Sequence, residues 1–147
     1  AIYRATGRVD DAVRVLEPTG FRSAGVPFYP EIEVALPPPH AAWDAVRRFR
    51  PDHVHVSTEG PLGLLVRRLC RAAGWRFSTS YHTKFPEYLH TLTGLPEAVT
   101  FRYLRWFHNG GSSLMVATPS LEKELLARGF RGPVRRWGRG GDLQLFR

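Results

Sequence analysis

Three times in this chain a short run of β-forming residues gives way to a proline suited to open a helix. HVHV passes through Ser57-Thr58-Glu59-Gly60 to Pro61, FSTSY through His82-Thr83-Lys84-Phe85 to Pro86, and SLMVA through Thr118 to Pro119. Proline has its φ preset and no amide hydrogen to lose, so the first turn of a helix accepts it while a helix interior does not. A chain that alternates strand and helix in this way makes a mostly parallel, doubly wound α/β sheet with helices on both faces. Such sheets hold their ligands outside the carboxyl ends of the strands. The stretch RFSTSYHTKFPEY, which ends a strand on Tyr81 and His82, is therefore the first place to look for a site.

The remaining elements follow from pattern. Residues 1–11 are polar and ambiguous, in keeping with the tail of a helix. AVRVL, residues 12–16, reads as a strand before a Glu17-Pro18-Thr19-Gly20 turn, and residues 21–30 as a loop set by Gly25, Pro27 and Pro30. EIEVAL, residues 31–36, alternates as a strand and is ended by Pro37, Pro38 and Pro39. A helix over 41–49 puts Trp43, Val46 and Phe49 on one stripe. The helix opened by Pro61 places Leu62, Leu65, Val66 and Leu69 at i, i+3, i+4 and i+7, with Arg67, Arg68 and Arg71 outside, and Gly74 ends it. A short helix covers 86–92. Another, over 97–108, carries Val99, Tyr103, Trp106 and Phe107, with Phe101 and Leu104 on other faces. Thr118 and Pro119 are an N-cap and first-turn pair for a helix reaching Arg128, with Gly129 behind it. Residues 134–137 are a last strand, and Arg139-Gly140-Gly141-Asp142 a connector.

The bulk properties narrow the class. A chain of 147 residues can bury a core of its own. It has no apolar run long enough to span a membrane, and its first residues do not read as a signal peptide. It opens on Ala1 and stops at Arg147, and we expect it to be cut at both ends. Cys70 is the single cysteine, so the chain holds no internal disulfide; on a helix beside Leu69 it reads as a small buried hydrophobe. The net charge of +8 comes almost wholly from arginine. Such a balance attracts lipid headgroups, nucleotide diphosphates or nucleic acid, although most of these arginines fit solvated helix faces equally well.

Each chemical motif has a plain structural alternative. His53 and His55 share one face of a strand, a spacing that can hold zinc, but no cysteine and no helical HExxH accompanies them. Packing under a helix with hydrogen bonds is the simpler reading. Ser78, Ser80 and His82 lie close together without the GxSxG elbow of a hydrolase. No GxGxxG or GxxxxGK[ST] loop cradles phosphate. The arginines fall on separate helices rather than in one stripe, which argues against nucleic acid. A non-catalytic basic α/β module for nucleic acid or a membrane remains the alternative class.

Several stretches taken together resemble a known family. VPFYPEIEVALP, RPDHVHVSTEGPLGLLVRRLCRAAGWRFSTSYHTKFPEYL, LMVATPSLEKELLARGF and RRWGRGGDLQLF are similar to the amino-terminal domain of the retaining, GT-B type bacterial glycosyltransferases of family 4. The branch they look most like is that of the mannosyl- and sulfoquinovosyl-transferases of glycolipid synthesis. The resemblance implies a Rossmann-like, acceptor-side half over residues 1–147, with the donor-binding carboxy-terminal domain outside this sequence. It implies transfer of a hexose, mannose-like, from a nucleotide sugar such as GDP-mannose or a UDP-sugar to a lipid or saccharide hydroxyl. No other cofactor and no metal are expected, and attack is on the front face of the sugar.

The same resemblance assigns residues. His82 matches a cleft histidine that contacts the transferred sugar near its reacting carbon. Tyr81, Thr83 and Lys84 would line the same mouth, and Thr58, Glu59 and Gly60 would face the acceptor from the neighbouring strand. Arg139 and Asp142 would stand at the domain junction, Arg139 offsetting the charge of the leaving diphosphate. Gly141 departs from the valine more usual there. The family's opening strand, loop and helix find no match, which leads us to expect unpaired backbone at the sheet's centre and a fragment that is unstable and inactive alone. A cytoplasmic enzyme, with peripheral contact to anionic lipid through its arginine-rich helices, completes the expectation.

Overall fold

The computed structural model describes residues 2–3, 13–14, 22–26, 29–35, 38–82 and 85–137. Strands β1 (Ile2–Tyr3), β2 (Val13–Arg14), β3 (Ser23–Val26) and β4 (Tyr29–Ala35) precede helix α1 (Pro39–Phe49). The chain then alternates through β5 (His53–Val56), α2 (Pro61–Ala72), β6 (Phe77–Tyr81), α3 (Phe85–Thr93), α4 (Glu97–His108), β7 (Ser113–Val116), α5 (Pro119–Ala127) and β8 (Val134–Arg136). The main sheet has the order β2-β1-β5-β6-β7-β8. Its last four strands are parallel, and β1 pairs antiparallel with both β2 and β5. This is the α/β, Rossmann-like architecture that the strand–proline–helix pattern anticipates.

Register decides which residues share a face. Val54 lies opposite Phe77, Val56 opposite Thr79, Thr79 opposite Leu114 and Tyr81 opposite Val116. On this face Val54, Val56 and Phe77 pack with Leu62, Val66 and Cys70 of α2 and Phe107 of α4. Tyr81, Leu114 and Val116 pack with Phe101 and Leu104 of α4, Leu125 of α5 and Phe130. Leu104, Phe107 and Leu125 are fully buried, each contributing about 2 kcal/mol of apolar transfer. The helices α2, α4 and α5 thus all press on the Val54/Val56 face. The other face of β6 carries Ser78 and Ser80, and all five residues of the strand are buried.

Helix boundaries follow local chemistry. Thr118 accepts a hydrogen bond from the Leu121 amide at 3.2 Å, so the N-cap of α5 forms as expected, with Pro119 in its first turn. Gly129 follows that helix at φ +82°, a left-handed conformation that suits glycine. At the start of α2 a different constraint acts. A Cβ on Gly63 would stand 1.8 Å from the Thr58 carbonyl oxygen and 3.1 Å from a Val56 methyl, so the turn from β5 into α2 closes only over a bare Cα.

The structure departs from the sequence reading in several places. Ile2–Tyr3 is a strand, not a helix tail, and it pairs with His53 and Val54. The sheet therefore continues past β5 into β1 at those two residues. The 21–30 loop contains β3, which forms a separate antiparallel hairpin with β4. Val99 and Trp106 are 51% and 50% exposed, because α4 turns Thr100, Phe101, Leu104, Phe107 and His108 inward instead. Periodicity allowed both stripes; contact with β6 and β7 chose one. The turn at 17–20 and the connector at 139–142 lie outside the described residues.

Arg67 is the largest departure, since it was expected on the outer side of α2 and is 3% exposed. Its Nε donates to the Phe107 carbonyl at 3.1 Å and its Nη2 to the Trp106 carbonyl at 3.1 Å. Its guanidinium carbon lies 3.9 Å from the centroid of the Trp106 ring. One side chain thus bonds two carbonyls at the carboxyl end of α4, of which that of Phe107 also accepts from the Gly110 amide at 3.4 Å, opposes the helix dipole there and stacks on an indole.

Two substitutions test these constraints by urea unfolding. Gly63→Ala is expected to cost about 2 kcal/mol or more, as backbone must move to admit a methyl group. Arg67→Met, which keeps the stem and removes the donors, is expected to cost about 2 kcal/mol, with the Trp106 carbonyl losing its Arg67 donor and that of Phe107 keeping the Gly110 amide at 3.4 Å.

Candidate functional site

The parallel strands end together at one rim, where sequence reasoning placed the site. β5 leads there into Ser57-Thr58-Glu59-Gly60, β6 into His82, β7 into Ala117-Thr118 and β8 into Trp137. The Trp137 amide donates to the Val116 carbonyl at 2.9 Å, which continues the β7–β8 pairing by one residue and fixes the indole at the rim. Trp137 is 46% exposed, and its ring meets that of His82 edge-on with centroids 5.4 Å apart. His82 is half-buried. The structure therefore brings an imidazole and an exposed indole side by side at the carboxyl edge.

Behind His82 runs a chain of hydrogen bonds. Its Nε2 lies 2.6 Å from Ser80 Oγ. Ser80 Oγ is 3.1 Å from His55 Nε2, His55 Nδ1 is 2.8 Å from Ser78 Oγ, and Ser78 Oγ is 2.7 Å from His53 Nε2. Strand periodicity explains the arrangement: His53 and His55 of β5 and Ser78 and Ser80 of β6 all project to the face opposite the valines. The histidines are hydrogen-bonded as expected, but to serines of the adjacent strand, and α2, α4 and α5 lie across the sheet from them. Burial lowers the His55 pKa to about 4, with His53 and His82 adding to the effect. Burial, and after it Arg76, lowers that of His53. Ser78 and Ser80 are 1% exposed, which keeps substrate from their hydroxyls and removes the hydrolase reading.

The turn after β5 is braced from α4. Thr58 Oγ1 accepts from the Gly60 amide at 3.3 Å, and Gly60 is the N-cap of α2. Tyr103 donates its phenolic proton to the Glu59 carbonyl at 2.5 Å. The Glu59 carboxylate does not cap α2. It stands 3.2 Å from Nε2 of His108, an electrostatic contact without hydrogen-bond alignment. His108 Nδ1 in turn is 2.9 Å from Thr79 Oγ1 on β6. Glu59 is thus held at the rim from two directions, one-fifth exposed. Burial, and then Glu59, raises the Tyr103 pKa, so the phenol stays a donor.

Of the residues singled out from sequence, Thr58, Glu59, Gly60 and His82 occupy adjacent strand ends on this rim. Tyr81 does not line it: at 2% exposure it packs edge-on against Phe130, 6.3 Å between centroids, and near His108. Strand alternation explains why, since Tyr81 projects to the apolar face while its neighbour turns away from it. Burial pushes its phenol well above the usual range. Thr83, Lys84, Arg139 and Asp142 lie outside the described residues. Cys70 is buried, and burial raises its thiol to about 11, which makes it inert. Among the described residues no group of three His, Cys, Asp or Glu could hold a metal ion, and no helix is long and apolar enough to cross a membrane.

Sequence reasoning missed Trp137, Tyr103 and His108. Trp137 had a usable signal, since it closes the last β-type run at the end where the other handovers occur. Tyr103 and His108 had none, because their partners are 44 and 29 residues away.

Comparison with known proteins points to one family. The sequence profile of the family described as Glycosyltransferase Family 4 matches residues 2–145. A sulfoquinovosyl transferase of Arabidopsis thaliana is 25% identical over 131 residues, which are 86% of this chain and 26% of that protein. The chain therefore spans about a quarter of the length of this relative. No solved structure matches.

The lowered pKa of His55 has a consequence for stability. An unfolded chain binds a proton at this residue near pH 6.5, whereas the folded protein resists until about 4. Its contribution is thus complete above pH 6.5 and is lost as pH falls towards 4. Chemical denaturation at stepped pH is expected to show stability declining across this window, and His55→Asn is expected to flatten the decline.

Proposed function

Because the chain belongs to glycosyltransferase family 4, we propose that it is the acceptor-side part of an enzyme that moves a hexose from a nucleotide sugar to a lipid or saccharide hydroxyl. The observation that supports this most is the presentation of His82 at the carboxyl end of β6, half-buried and set against Trp137. In this reading the imidazole meets hydroxyls of the transferred sugar close to its anomeric carbon. The bond from that carbon to the diphosphate oxygen breaks, a bond from the acceptor oxygen forms on the same face, and the acceptor's proton passes to the departing phosphate. No side chain needs to become covalently attached, which fits a rim with an imidazole and a held carboxylate in front of the buried Ser78 and Ser80.

Glu59 is suited to the acceptor. Held by Tyr103 and His108, it offers a fixed oxygen for an acceptor hydroxyl at low reorganisation cost. Trp137 gives a flat apolar surface beside His82 on which a sugar ring can lie. Thr83 and Lys84, which follow His82 directly in the sequence, are assigned to the same mouth. Arg139 and Asp142 are assigned to the junction with a donor-binding domain, Arg139 beside the leaving diphosphate. The sugar is taken as mannose-like, or as the sulfoquinovose that the plant relative's name states.

A membrane-bound acceptor has support from α1. Asp44, Arg47, Arg48 and Arg50 line a shallow open hollow of about 710 Å³ there, and its three arginines are exposed. On a chain of net charge +8 this patch suits anionic headgroups, and it supports the reading of the enzyme as a peripheral protein on the inner face of a membrane.

The test is transfer from a panel of nucleotide sugars by the full-length enzyme. His82→Ala is expected to lower transfer by about 10²-fold with the fold intact by circular dichroism. Full activity in that variant would remove the imidazole from the site.

A further inference from the structure

The hydrogen-bond chain behind His82 carries an inference about its proton. Ser78 Oγ sits between His53 Nε2 and His55 Nδ1, and Ser80 Oγ between His55 Nε2 and His82 Nε2. A serine hydroxyl has one proton, and a neutral imidazole has one N–H and one lone-pair nitrogen. The burial that keeps His55 neutral near pH 7 thereby restricts its neighbours. If His55 bears its proton on Nδ1, it donates to Ser78 and accepts from Ser80. The Ser80 proton is then committed, and His82 must donate from Nε2. If His55 bears its proton on Nε2, it donates to Ser80 and accepts from Ser78. The Ser78 proton is then committed, and His53 must donate from Nε2, while Ser80 is free to donate to His82.

We propose that His53, Ser78, His55 and Ser80 are positioning residues that together fix which nitrogen of the His82 ring carries the proton. The five side chains form one directional chain along a single face of β5 and β6, so its direction is a property of the whole. A change at the His53 end is felt at the rim without any movement of His82 itself. Ser78 and Ser80 are 1% exposed, so bulk water does not compete for their protons and the direction is held. The assignment of proton positions stands on these contacts alone. Its bearing on sugar transfer rests on the function proposed above, because an imidazole locked in one tautomer offers a sugar hydroxyl either a donor or an acceptor, not a mixture.

The nitrogen-15 shifts of the His82 ring separate the two kinds of ring nitrogen and give the readout, recorded on the full-length protein near pH 7.5. The native ring is expected to show one protonated and one lone-pair nitrogen, widely separated. Ser78→Ala touches neither His82 nor Ser80, and it is expected to narrow that separation as two tautomers mix. Should this variant fail to fold, His53→Leu at the half-buried outer end asks the same question. Thr79→Val removes a hydroxyl from the same strand on the opposite face and is expected to leave the His82 shifts as they were. An averaged ring in the native protein would overturn the proposal. So would unchanged shifts in folded Ser78→Ala or His53→Leu, or equal narrowing in Thr79→Val. Loss of transfer by His82→Ala speaks to the function, whereas these shifts speak only to the chain of protons.

Discussion

The structure depends on satisfying the three hydroxyls at the middle of β6. Ser78, Thr79 and Ser80 are buried to 1% or less between β5 and β7, in a position that most parallel sheets fill with aliphatic side chains. Each buried hydroxyl without a partner would cost roughly 1–3 kcal/mol. All three find imidazoles. Ser78 and Ser80 meet His53, His55 and His82 on one face, and Thr79 meets His108 on the other. The four histidines are therefore part of the core's polar bookkeeping before they are part of any chemistry.

That solution also joins core to rim. One of the imidazoles satisfying Ser80 is His82, and the imidazole satisfying Thr79 reaches on to Glu59. His82 and Glu59, the two groups assigned to the substrate in the proposed function, are consequently both tied to the same strand, from opposite faces. Positional error at the rim is limited by how well β6 is packed, and all five of its residues are buried. Arg67 contributes from further off: by closing the carboxyl end of α4 it steadies the helix that carries both Tyr103 and His108. In the function proposed above, side chains held on rigid elements with such support would lose little free energy to reorganisation.

Helix α4 shows how far local pattern reaches. Its apolar residues cover most of its circumference, so the sequence permits several inward faces. Contact with Tyr81, Leu114 and Val116 selects the one with Phe101 and Leu104, and Trp106 is turned out to cover Arg67. The same reasoning explains Arg67. On a helical wheel it sits at the border of the apolar stripe, where a long cation is read as solvated. Only the arrival of the Trp106 and Phe107 carbonyls of α4, 39 and 40 residues later in the chain, makes burial favourable.

The sequence by itself determined the alternation of strands and helices, the helix starts at Pro61 and Pro119, the cap at Thr118 and the location of a rim at His82. All of these rest on interactions within a few residues, which pattern reports directly. The fold class followed from them. Tertiary structure alone decided that Tyr81 is core, that Glu59 pairs with His108, that Trp137 flanks His82 and that five side chains from two strands form one hydrogen-bonded line. Those outcomes depend on register, and register sets residues from distant parts of the chain opposite one another. A slip of one residue in β6 would exchange its two faces and undo every one of them.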